Sequence, residues 1–132
     1  MARTASSTYQ HDWDDDSWGT GAPTTAAETL SGTTESLTGS IDASAYWGLQ
    51  ITVDIDYDAT PTDSVTINVY GSVDGTNWDD TPMDYVAGDN STDPEQLTFM
   101  IWNPPKYVRI GFVQSGSTDS HDISTVHYIG YN

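Results

Sequence analysis

Ten consecutive residues, Leu49-Gln50-Ile51-Thr52-Val53-Asp54-Ile55-Asp56-Tyr57-Asp58, alternate apolar and polar without a break. A side-chain period of two is what a strand with one buried face requires, and no helix gathers those apolar groups on one side. The segment commits the centre of the chain to a sheet with a core face and a solvent face. Ala59-Thr60-Pro61-Thr62-Asp63 follows as a turn signal, after which Val65, Ile67 and Val69 alternate with Thr66, Asn68 and Tyr70. These two strands are expected in one sandwich.

Further strands are expected at residues 96–102, with Leu97, Phe99 and Ile101 on one face, and at 107–113, with Val108, Ile110 and Phe112 inward. Asn103-Pro104-Pro105 separates them. Residues 123–131 are apolar on both faces, which suits a central strand or one covered by a partner chain. Weaker candidates at 25–31, 35–41 and 83–87 bring the number to about eight, with no helical period of useful length. Composition agrees, because 17 of the 20 acids are Asp, a poor helix former, and Ser and Thr together number 33. The expected fold is all-β, an antiparallel β-sandwich or jelly roll of about eight strands.

The chain has 132 residues and no cysteine, so one domain with a hydrophobic core is expected, without disulfides or a zinc ribbon. It divides near residue 28. Residues 1–28 hold almost no aliphatic side chain larger than Ala, yet they carry Tyr9, Trp13 and Trp18. Such a segment cannot build its own core, and it reads either as a solvating tail or as an extended arm. A solvating tail has no use for two Trp and a Tyr, so the expectation is an N-terminal arm anchored by Tyr9, Trp13 and Trp18 in a neighbouring chain. Residues 29–132 form the sandwich domain.

A formal charge of −17, with only Arg3, Lys106 and Arg109 basic, cannot neutralise a run of phosphates. Nucleic acid and anionic membrane surfaces are excluded as partners on that ground. No apolar run approaches the roughly 20 residues that span a bilayer. The opening Met-Ala-Arg-Thr-Ala-Ser-Ser has no apolar signal-peptide core, and production without Sec-type export is expected.

Few residues of this chain suit catalysis, with His11, His121 and His127 the only histidines. Ser120-His121-Asp122 unites three triad residue types, but sequence neighbours on a strand or loop point different ways, and a polar turn is the expectation. There is no Gly-x-Ser-x-Gly elbow, no phosphate-cradling Gly-rich loop and no His-Glu-x-x-His, and no enzyme activity is expected. Asp54-x-Asp56-x-Asp58 imitates the opening of a calcium loop, but Ala59 stands where Gly is needed and Val65 where the bidentate Glu belongs. These three Asp, and Asp12, Asp14, Asp15 and Asp16, are weak candidates for a structural cation, and no cofactor is expected. Among the aromatics of the body, Tyr70 and Trp102 fall on the polar phase of their strands and are the candidates for a contact surface with protein or sugar.

Gly71-Ser72-Val73-Asp74-Gly75-Thr76-Asn77-Trp78 reads as a strand end, a tight Asp-Gly turn and the start of a return strand. With Asp79-Asp80-Thr81-Pro82, the later Pro105-Lys106-Tyr107-Val108-Arg109-Ile110-Gly111-Phe112 and the closing segment 117–128, it resembles β-sandwich capsid decoration (cement) proteins of tailed phages and related archaeal viruses. The resemblance covers about residues 46–132. It implies a non-enzymatic virion protein on the capsid surface, assembled in the host cytoplasm, that binds a major capsid protein as a homotrimer or homodimer and stabilises the shell. A Ser-x-Asp-Gly-x-x-Trp hairpin is also similar to one in discoidin-like carbohydrate-binding modules. The alternative function is therefore a carbohydrate-binding module of a tail or surface appendage, with Trp78 and Trp102 as sugar-contacting residues. Very low Lys with abundant Asp and Thr points to a halophilic or saline habitat.

Overall fold

A computed structural model describes residues 5–10 and 28–131, the side chains of 5–10 excepted. Its described residues form ten strands and no helix: β1 Ala5–Gln10, β2 Glu28–Thr29, β3 Ser36–Leu37, β4 Ile41–Asp42, β5 Gly48–Asp56, β6 Val65–Ser72, β7 Asp84–Ala87, β8 Glu95–Trp102, β9 Tyr107–Gln114 and β10 Asp122–Tyr131. They build two antiparallel sheets. The first has the order β1-β10-β5-β8, with β2 beside the start of β10. The second has the order β3-β9-β6-β7, with β4 beside the start of β9.

The alternation read in the sequence sets the facing of each strand. Leu49, Ile51, Val53 and Ile55 of β5 meet Val65, Ile67 and Val69 of β6 and Val108, Ile110 and Phe112 of β9 in one core, all essentially without solvent exposure. Burial of that apolar area is the main force holding the sheets face to face. β10 is central, between β5 and the edge formed by β1 and β2, as its two apolar faces require.

Three local expectations are corrected. The Asp74-Gly75 turn does not begin a return strand at Trp78, because β7 starts only at Asp84. Asp74 instead accepts hydrogen bonds from the Thr76 and Asn77 backbone N–H groups, and Gly75 takes φ +78°, a left-handed conformation that glycine adopts without penalty. Turn chemistry thus closes a small loop inside a longer connection. Secondly, the candidate strand at 35–41 is broken into β3 and β4. At the break the Ile110 N–H donates to Thr38 Oγ1 at 2.7 Å, so a side chain takes the place of a ladder carbonyl. Thirdly, Ala5–Gln10 of the expected arm is a strand, paired antiparallel with residues 127–131 of β10.

One end of the sandwich, made by the connections at 57–64, 88–94 and 115–121, buries three acids. Asp63, Glu95 and Asp119 are each less than a tenth exposed. Asp119 Oδ2 accepts from the backbone N–H groups of Thr62 and Asp63, while Asp63 Oδ2 accepts from those of Thr118 and Asp119. Glu95 accepts from Tyr57 Oη–H and from the Asp89 N–H. A buried carboxylate is tolerated when such donors replace water, so these acids tie loops together.

Candidate functional site

The opposite end carries the aromatics. Residues 43–47 cross from β4 to β5, residues 103–106 cross from β8 to β9, and β10 ends there. Trp47 is fixed at their meeting point, its N–H donating to the Tyr131 carbonyl and its carbonyl accepting from the Asn103 N–H, both at 2.9 Å. Asn103 lies at φ +48°, a left-handed conformation that Asn tolerates better than most residues, and it turns the chain directly after Trp102. Tyr46 packs over Gly130, where a Cβ would stand 2.5 Å from the ring, so only glycine leaves room for it.

This framework stacks Trp47 against Trp102, with ring centroids 5.5 Å apart and planes 17° from parallel. The Tyr131 ring lies 6.0 Å from that of Trp47, tilted by 39°. Trp102 is nevertheless 53% exposed, a large apolar ring stacked on Trp47 with much of its surface reaching solvent. The Trp47 indole N–H is buried with no acceptor among the described residues, at a cost of about 1–3 kcal/mol. Aromatic packing and the two backbone bonds hold Trp47 in place despite it.

From this cluster the outer face of the first sheet runs up β5 in cross-strand rows. Gly48 stands between Trp102 and Tyr131, Gln50 between Met100 and Ile129, and Thr52 between Thr98 and His127. Tyr131 Oη–H donates to Gln50 Oε1 at 3.0 Å, which orients the amide and leaves its Nε2 hydrogens for another acceptor. The Thr52 and Thr98 hydroxyls share one hydrogen bond at 2.9 Å, so one hydroxyl hydrogen remains unused. Acids begin only in the next row, at Asp54 between Gln96 and Thr125.

The residues expected from sequence are dispersed. Trp102 is on the open face just described, whereas Trp78 follows β6 of the second sheet and stacks on the Arg109 guanidinium, 4.6 Å from the ring centroid. Tyr70 is only 9% exposed, and its hydroxyl donates to Glu35, so it is spent within the fold. Burial, with that hydrogen bond and the Glu35 charge, pushes the Tyr70 phenol up to about 12. Tyr9 stands opposite Tyr128 in the β1–β10 register. Trp13, Trp18, Asp12, Asp14, Asp15 and Asp16 lie outside the described residues.

Asp54, Asp56 and Asp58 do not converge. Asp54 accepts from Thr125 Oγ1, Asp58 from the Ser120 N–H, and Asp56 is exposed. Among the described residues no three His, Cys, Asp or Glu side chains come together as a metal set. Ser120-His121-Asp122 diverges as well. His121 is fully buried, its Nδ1 accepting from the Asp58 N–H, which places its proton on Nε2 facing the Asp63 carbonyl. Asp122 accepts from Thr29 Oγ1 instead.

Sequence reasoning missed Trp47, Gln50, Thr52, Thr98 and Tyr131. The available signal was a difference within β5, where the polar phase is uncharged at Gln50 and Thr52 and acidic at Asp54 and Asp56.

No family model matches the chain, and no match was found among curated proteins. Among solved structures the chain is similar to a family 35 carbohydrate-binding module from an environmental isolate, with a TM-score of 0.52 and 14% identity over 98% of this chain and 88% of that one. It is also similar, with a TM-score of 0.45 and 10% identity over 91% of this chain and 89% of that one, to the EclA C-terminal domain, a sugar-binding protein. At 14% identity the first likeness is one of fold, a two-sheet β-sandwich.

Proposed function

We propose that the chain is a carbohydrate-binding module whose contact surface is the outer face of the first sheet around Trp102. The observation that carries this reading is the exposed Trp102 ring braced from behind by Trp47. One face of a sugar ring is a sheet of C–H groups, which an indole held in place covers without losing side-chain entropy. The hydroxyls around that face need amide and hydroxyl partners, and Gln50, Thr52 and Thr98 stand in the two rows beyond that of Trp102. The fold shared with a carbohydrate-binding module supports the reading at the level of architecture, and the side chains supply the rest.

Electrophoresis through gels containing soluble polysaccharides tests it. Wild-type protein is expected to be retarded by at least one of them, and Trp102→Ala to lose about tenfold or more in affinity with an unchanged circular dichroism spectrum. Trp78→Ala, in the connection that follows β6 of the other sheet, is expected to bind like wild type. Equal retardation of Trp102→Ala and wild type would sink the proposal. No observation among the described residues favours the capsid-cement expectation over it.

A further inference from the structure

In a chain with 20 acids, three successive rows on the outer side of the first sheet hold none: Gly48 with Trp102 and Tyr131, Gln50 with Met100 and Ile129, Thr52 with Thr98 and His127; Trp102 and Thr98 are exposed, Gly48 is buried and the others are half-buried. The acids resume at once beyond this strip, with Asp54 and then Asp56 opposite Asp122. Contact surfaces are depleted of charge where a partner displaces water, and a charge left under an uncharged partner is desolvated without compensation. The strip is therefore where this otherwise acidic surface admits a ligand that brings no counter-charge. An anionic ligand meets the field of the whole molecule, and a cationic one finds no carboxylate in the three rows.

Resting on the carbohydrate-binding proposal, we infer that the ligand is an uncharged polysaccharide lying along β5, from the Trp102 platform past Gln50 to the Thr52–Thr98 hydroxyl pair. Gly48 to Thr52 spans about 13 Å at strand spacing, long enough for more than one sugar ring. The polar atoms along it are those left with spare hydrogen-bonding capacity. Tyr131 occupies Gln50 Oε1 and leaves Nε2 to donate, and the shared Thr52–Thr98 bond leaves one hydroxyl hydrogen.

The test uses the full chain in affinity gels carrying an uncharged glucan, mannan or xylan, a polyuronate, or a de-N-acetylated amino-sugar polymer, at low and at molar salt. The expected result is retention by an uncharged polymer at both salt levels. The double variant Thr52→Val/Thr98→Val should weaken it by about fivefold and Gln50→Ala by a similar factor, as the loss of one or two neutral hydrogen bonds predicts. If Trp102→Ala abolishes retention while the Thr and Gln variants bind as wild type, the strip along β5 is wrong and the Trp102 site stands. Retention through Trp102 by only the polyuronate or the amino-sugar polymer overturns the ligand class and again spares the site. If no polymer is retained, or Trp102→Ala changes nothing, the carbohydrate reading fails together with this one.

Discussion

Single carboxylates and phenols in this molecule are specified by the donors or acceptors around them, and this makes its stability pH-dependent in both directions. Backbone N–H groups of Asn77 and Thr76 hold the Asp74 carboxyl well below the usual range. The Ser44 hydroxyl and N–H lower Asp42, those of Ser91 lower Asp89, and the Asp63 N–H, with that of Thr62, lowers Asp119. A carboxyl lowered in the folded state contributes stability that is present above its unfolded value, near pH 4, and is lost as pH falls toward the folded value. Tyr70 has the opposite sense. Raised from 10.0 to about 12, it contributes stability that is complete below pH 10 and is lost as the pH rises from there to about 12. Tyr57, raised by burial and by its bond to Glu95, adds to the alkaline loss. The melting temperature is thus expected to be flat between about pH 5 and 9 and to fall on both sides. Tyr70→Phe should make the alkaline limb shallower, and an unchanged limb would refute its assignment to Tyr70. None of these partnerships was visible in sequence, because the donors come from other loops or depend on turn geometry.

At the scale of elements, the long alternating segments were legible and the short ones were not. β5, β6, β8, β9 and β10 lie where periodicity placed them, since each buries one or two faces in the core and the core selects the pattern. The stretch at 35–41 failed as one strand because Thr38 turns its side chain to the neighbouring Ile110 N–H, an event that leaves no periodic trace. β1 was read as arm, since its residues Ala5–Gln10 carry no core pattern and are placed by pairing with β10. The Thr38 contact gives a measurable consequence. Thr38→Val keeps the shape but leaves the Ile110 N–H buried without an acceptor, and should cost about 2 kcal/mol in urea unfolding. Thr38→Ser, which retains the hydroxyl, should cost clearly less. Equal losses in the two variants would mean that packing of the methyl group, and not the hydrogen bond, joins β3 and β4 to β9.

Across the whole molecule, charge and core are organised separately. Most of the described acids are on outward phases or in turns, and among the described residues no Lys or Arg comes within 4.0 Å of a carboxylate; the one such contact is with the buried His121 imidazole, 3.5 Å from Asp119. Self-repulsion at a net charge of −17 is therefore scarcely offset by ion pairs. The melting temperature should rise between about 0.1 M and 3 M salt, as the Debye length falls from roughly 10 Å to below 3 Å. A flat profile would contradict the saline-habitat expectation. The chain by itself determined the all-β class, the identity of the central strands, the inward phase of β5, β6, β8 and β9, and the net negative charge. These follow from local periodicity and composition, which act along the sequence. Only the tertiary structure decided that Trp47, Trp102 and Tyr131 meet, that Gln50, Thr52 and Thr98 share their face without an acid, and that Tyr70 and Trp78 are spent elsewhere. Those positions are up to 84 residues apart, from Trp47 to Tyr131, and strand order and register bring them together. Register is a property of pairs of strands, set by burial of the core face, and no single segment encodes which residues it will place side by side on the outer one.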